Sequence, residues 1–384
     1  MQNSWSSTAS TTGAASAGER ISHSALGRSL NQLAWGDFQE RWEAAKRLSS
    51  FGAIAISPLL GLLDEADEED WELAWFVTRI LAEVPHPEAI ASLCDLAQTA
   101  IHDEVVSAAV MGLAQQGEAA IAPLKALLTH PSTRRFAAQS LAQIQHPAAT
   151  ALLFQLARDQ DDTVRTVAIA ALSYSNDPQV FPRLLEALQD PVPAIRGAAV
   201  AGLGYWSAAP NGRSRSEHVI PLLWDVTVSV RQQAIFTLGR IGDAGAIAAL
   251  REALHSPNMP DSLRPDLIRT LGWVNLPIAL EALLQELHRL HWGEASHPTA
   301  FSLCQEIITV LGRVEAPELK SRATEILLEA LAQPVIQTNP LLKQAIAFSL
   351  GQLAQPTALD ALQRLQADED ERVRFHAIAA LKHL

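Results

Sequence analysis

The chain has 384 residues, of which 42 are acidic and 29 basic, leaving a formal net charge of −13. An acidic balance of this size excludes a sequence-independent grip on nucleic acid, which needs concentrated positive charge. Aromatic and turn-forming residues are too sparse for a β architecture, no apolar run reaches the length of a membrane span, and the two cysteines, Cys94 and Cys304, sit in apolar helical context, so a cytoplasmic protein with buried thiols is expected.

Residues 1–24 are dominated by Ser, Thr, Ala and Gly. They offer almost nothing to a core and are expected to be disordered. They lack the basic-then-apolar plan of a secretory signal, and their few acidic residues together with Arg20 keep an organelle transit peptide open as the alternative.

From residue 25 to 384 one period dominates. Leu48, Leu81, Leu113, Leu141, Leu172, Leu203, Leu238, Leu271, Leu311, Leu350 and Leu381 recur every 28 to 40 residues, mostly 31 to 35. Four positions earlier stands a small residue in most copies (Ala44, Ala109, Ala137, Ala168, Ala199, Ala234, Ala377), which permits close helix approach. Val164, Ala168, Ala171 and Leu172, like Val373, Ala377, Ala380 and Leu381, fall on one stripe of a 3.6-residue helix. After each leucine comes a break and then a second apolar helix, as at 181–188. Each repeat therefore reads as a helical hairpin that cannot bury its apolar face alone, and the chain as an all-α solenoid superhelix of about ten to eleven such hairpins.

Seven residues before the leucine a basic side chain stands in eight copies: Arg41, Arg134, Arg165, Arg196, Arg231, Arg264, Lys343 and Arg374. Ala74, Val106 and Cys304 interrupt the ladder. These side chains are expected to bond an acidic residue or a helix-end carbonyl at the inter-repeat turn, with a phosphate-binding row as the alternative. Pro58, Pro123 and Pro182 each follow their leucine by ten residues, and Pro221 stands in a similar context after an insertion. This proline and the V-R-x-x-A-x-x-A-L pattern resemble HEAT repeats, specifically the subtype first described in phycobilisome lyases, over roughly residues 36 to 384.

Several features depart from the repeat. Residues 64–72 hold seven carboxylates, with Trp71 among them and Trp75 following. They read either as a solvated turn capping a helix or as an acidic-aromatic docking patch. His86, His130, His146 and His297 each precede proline, and the first three are assigned structural roles at helix ends. The insertion at 204–216 presents Tyr205, Trp206, Arg213 and Arg215, residue types enriched in interface hot spots, and Trp206 and Trp273 are expected along one edge. His288, His291 and His297 with Trp292 lie in a 40-residue repeat, but no cysteine accompanies them, and no metal is assigned.

Catalytic signatures are absent: there is no Walker loop, G-x-S-x-G elbow, paired C-x-x-C or G-x-G-x-x-G. None of the 12 histidines precedes a glutamate, which removes the di-iron chemistry of some helical-repeat enzymes. The shape alone points to a non-catalytic scaffold or assembly factor whose V-R helices line a concave protein-binding surface. Trp71, Trp75, Tyr205, Trp206, Arg213, Arg215, Trp273 and Trp292 are the candidate contacts, and an uncovered repeat end favours a homodimer. No cofactor is expected from the residues. The family resemblance implies phycobiliproteins or another photosynthetic complex as partner, and as its alternative a subunit of a bilin lyase or an antenna-disassembly factor, with a bilin pocket; no catalytic residue carries over.

Overall fold

A computed structural model describes residues 17–65, 70–175, 177–206, 214–292 and 300–384. Every regular element among them is a helix, and the chain divides into two compact units, residues 1–172 and 173–384. Unit 1 contains α1 (Ala17–Trp35), α2 (Phe38–Ser49), α3 (Ile56–Glu65), α4 (Trp71–Glu83), α5 (Pro87–Thr99), α6 (Asp103–Gln115), α7 (Glu118–Leu127), α8 (Pro131–Gln143), α9 (Pro147–Leu156) and α10 (Asp162–Leu172). The boundary expected at residue 24 falls within α1, and residues 1–16 lie outside the described residues.

Unit 2 contains α11 (Val180–Ala187), α12 (Pro193–Leu203), α13 (Arg215–Val219), α14 (Val228–Ile241), α15 (Ala244–His255), α16 (Arg264–Trp273), α17 (Pro277–Trp292), α18 (Ala300–Gly312), α19 (Pro317–Leu331), α20 (Pro334–Gln337), α21 (Pro340–Leu353), α22 (Leu359–Leu365) and α23 (Glu371–Leu381). In each unit the leucine-bearing helices, even-numbered up to α18 and then α21 and α23, pack side by side as one layer; the intervening helices form the second. Each unit is an α-solenoid of helical hairpins.

The recurring leucines are at most 1% exposed from Leu48 to Leu350, and the residues four positions earlier are fully buried in all eleven repeats. Each buried leucine contributes on the order of 2 kcal/mol. Spacing within the leucine layer is set by a second pair of positions. The residue just after one leucine meets the residue just before the next, and one of the two is usually glycine. An added Cβ would stand 2.8 Å from Ala82 at Gly112, 2.6 Å from Ser349 at Gly312 and 2.7 Å from Ala380 at Gly351. Where serine is the partner its hydroxyl crosses to the neighbouring helix: Ser140 donates to the Val110 carbonyl at 3.1 Å and Ser349 to that of Ile308 at 3.0 Å.

The basic ladder closes the inter-repeat turns. Arg196 grips the Asp225 carboxylate with two bonds of 2.7 Å, while Arg231 takes the main-chain carbonyl of that same aspartate. Lys343 and Arg374 divide Asp368 in the same way, at 2.6 and 2.8 Å. Arg134 and Arg165 divide Asp159, at 3.4 and 2.8 Å. Each aspartate thus ties the repeat before it to the repeat after it, and its side chain also accepts the N–H two residues on, at 2.8 to 3.0 Å. Arg41 holds Asp70 with two 2.8 Å bonds. Asp70 in turn caps α4 through the Leu73 N–H, so this member of the acidic run works as a helix cap; residues 66–69 lie outside the described residues. Arg264 differs: it reaches the carbonyls of Leu254 and Ser256 and the carboxylate of Asp261.

His86 and His146 act at the opposite helix pole from a C-terminal dipole contact. Each precedes an N1 proline and accepts, through Nδ1, the N–H two residues on, at 3.3 and 3.2 Å. His130 holds the same N-cap position without a side-chain bond. Cys94 and Cys304 are buried free thiols, pushed up to about 11 and about 12 by burial. Both should resist a thiol reagent at mildly alkaline pH while the chain is folded and react once it unfolds.

Gly312→Ala places a methyl group 2.8 Å from the Ser349 backbone and should cost about 1 to 3 kcal/mol. Gly197→Ala, with nothing within 4 Å, should gain about 0.5 to 1 kcal/mol from helix propensity; urea midpoints measure both. Asp225→Asn should cost about 2 kcal/mol by breaking the charged bonds to Arg196. Those bonds hold the Asp225 carboxyl below the usual range. Its stabilisation is therefore complete above about pH 4 and lost as pH falls through the lowered folded value, a loss that titration of the Asn variant should lack.

Candidate partner-binding face

A helix that packs on both sides within a layer keeps one stripe for solvent. In unit 2 that stripe and its continuation past the helix ends include the position two residues after the repeat leucine, held by Tyr174, just past α10, then by Tyr205, Arg240, Trp273 and Arg313, and in the last two repeats by Gln352 and His383. Trp273 is 69% exposed and Tyr174 72%. Such aromatic exposure in register along adjacent helices differs from scattered surface apolars.

The row is organised at one end. The rings of Tyr174 and Tyr205 are 5.1 Å apart, and the Arg240 guanidinium lies 4.4 Å from the Tyr205 ring centroid. Hydrogen bonds from Tyr174 and Arg240 hold the Tyr205 hydroxyl below the usual tyrosine range, and donation to Tyr205 holds Tyr174 above it. Beyond Arg240 a groove of about 560 Å3 opens, walled by Phe236, Arg240, Arg269, Trp273 and Arg313 over a floor of Thr270, Gly272 and Val310. Arg269 is anchored by Glu306 at 2.6 Å and Asp266 at 3.5 Å.

The other candidate contacts are dispersed. Trp206 follows its leucine by three residues, not two, and turns away: it packs edge-on against Phe181 of α11, 5.5 Å between centroids, while its carbonyl accepts from Arg215. Trp206 and Trp273 therefore do not share an edge. Arg213 lies outside the described residues, as does His297, and the backbone of Trp292 ends α17. His288 is held below the usual histidine range by burial. No group of three or more potential metal ligands occurs among the described residues.

In unit 1, Trp71 and Trp75 line separate grooves. Trp71 sits 6.1 Å from His102 beside α5. Trp75 instead faces a groove of about 490 Å3 with Glu83, Asp103, Glu104 and Met111. The Arg79 guanidinium stands between Trp75 and Trp42, 4.9 and 5.3 Å from their centroids. Of this row the residue types alone single out Tyr205 and Trp273; Tyr174, Arg240 and Arg313 join them only when every residue is counted from the repeat leucine.

No helix among the described residues is long and apolar enough to cross a membrane. No curated protein sequence matches the chain. Among solved structures, Kap121p bound to RanGTP superposes with a TM-score of 0.61 at 16% identity, covering 95% of this chain and 44% of that one. An engineered protein aligns over 94% of this chain and 98% of its own at 19% identity, TM-score 0.41. Human deoxyhypusine hydroxylase in complex with glycerol aligns over 71% and 97% at 22% identity, TM-score 0.30. The family scan matches HEAT repeats at residues 59–133, 128–204, 216–303 and 324–384, so that, with paired helices stacked in two layers in each unit, the chain belongs to the HEAT-repeat family.

Proposed function

We propose that this protein is a non-catalytic scaffold that holds a protein partner on the solvent-facing stripe of the leucine helices in unit 2. The observation that carries the reading is the run of Tyr174, Tyr205, Arg240, Trp273 and Arg313 at one register in successive repeats. Large aromatic side chains offer contact area at low entropic cost, and together with arginine they dominate binding energy where they cluster. A helical stack of similar fold, Kap121p, has been seen bound to RanGTP, which supports protein capture as a use of this architecture.

The phycobilisome-lyase-like form of the repeat makes phycobiliproteins the first partner class to test, with bilin lyase chemistry as the alternative; both rest on the sequence resemblance. Capture from a native lysate, with mass spectrometry and an absorbance scan of the eluate, separates these outcomes. Trp273 is mostly exposed, so Trp273→Ala should leave helicity unchanged while weakening retention of the stoichiometric partner by about 30-fold, a hot-spot loss. Unchanged retention would remove this face from the function. A bilin spectrum in the eluate would direct the next assay to chromophore transfer.

A further inference from the structure

We propose that the groove formed by α14, α16 and α18 binds an extended acidic segment of a protein partner, with carboxylates at Arg240 and Arg313 on either side of an apolar residue seated on Trp273. This deepens the scaffold reading and rests on it. The groove reverses the sign of the molecule: in a chain of net charge −13 its walls carry Arg240, Arg269 and Arg313 against Glu315 alone.

The three arginines are not equivalent. Arg269 is neutralised by Asp266, three residues back on its own helix, and by Glu306 of α18. Arg240 stacks on Tyr205 and has no carboxylate within ion-pair distance among the described residues; Arg313 is exposed and has none either. Arg240 already donates to the Tyr205 hydroxyl; the donors it keeps, like those of Arg313, form the planar fork that binds a carboxylate with two parallel bonds. Trp273, 69% exposed, and Phe236, 42% exposed, supply the apolar surface between them.

Geometry sets the spacing. Packed helices lie roughly 8 to 10 Å apart, so Arg240 and Arg313, two helices apart, are separated by roughly 16 to 20 Å. An extended chain covers that distance in about five to six residues. The expected ligand carries acidic side chains that far apart, with a leucine or aromatic residue midway.

The test is fluorescence anisotropy on the full chain with a labelled synthetic peptide carrying paired glutamates about six residues apart around a central leucine, beside the same peptide with glutamines. The acidic probe should bind at least about tenfold more tightly, and added salt should erode the difference. Arg313→Glu should abolish the preference and Arg313→Lys should keep most of it; the side chain is exposed, and circular dichroism checks that both variants fold. Equal binding of the two peptides, or indifference to Arg313→Glu, overturns the proposal. Tighter binding of a single-stranded RNA probe, or self-association in sedimentation that Arg313→Glu removes, overturns it by naming a different occupant. If Trp273→Ala still weakens capture of a natural partner while the acidic preference is absent, this inference fails and the scaffold reading stands; loss of both effects ends both.

Discussion

Adjacent leucine helices touch where the residue just after one leucine meets the residue just before the next, usually with a glycine on one side, and the distance across that contact governs what the layer can present. At Gly312 a single methyl group would come within 2.8 Å of backbone on the neighbouring helix. With helices this close, side chains flanking the contact cannot fold inward and are directed along the layer or out of it. The outward register two residues after the leucine is a by-product of that packing, and it is where unit 2 places its aromatic and arginine side chains.

The turns fix what the helices leave free. An aspartate whose carboxylate serves the preceding basic side chain and whose carbonyl serves the following one has its backbone and side chain committed to different repeats. Charged bonds of this kind are worth more than surface pairs because both partners are mostly shielded: at Arg196 and Asp225 the side chains are 11% and 7% exposed. Neutralised in this way, Arg196 and Lys343 have little left to offer a phosphate. The basic groups open to a partner in the unit 2 groove, Arg240 and Arg313, lie outside the ladder altogether.

Much of the fold was legible because its signals are local and periodic. Leu48 to Leu350, the buried alanine four residues before and the basic residue seven before share a fixed offset, which one sequence suffices to reveal. The small-residue contact was not legible, because the glycine falls before the leucine in some repeats (Gly112, Gly202) and after it in others (Gly239, Gly312), so no column of the repeat is uniformly glycine. The aspartate partners of the ladder were obscured because they lie 25 to 29 residues downstream, a distance that varies with the length of the second helix. Tyr205 and Trp206 stand past the end of α12, where helical periodicity no longer sets direction, and the turn leaves Tyr205 beside Tyr174 while sending Trp206 against Phe181. Grouping Trp206 with Trp273 failed for that reason.

The position two residues after each leucine packs against no neighbouring helix core, so its occupant can be exchanged without disturbing the contacts that hold the layer. From Tyr174 to Arg313 the row then sets Tyr, Tyr, Arg, Trp and Arg on a common support, one side chain per repeat. Exchanging any one of them would alter the chemistry shown to solvent at that repeat and leave the support beneath it intact.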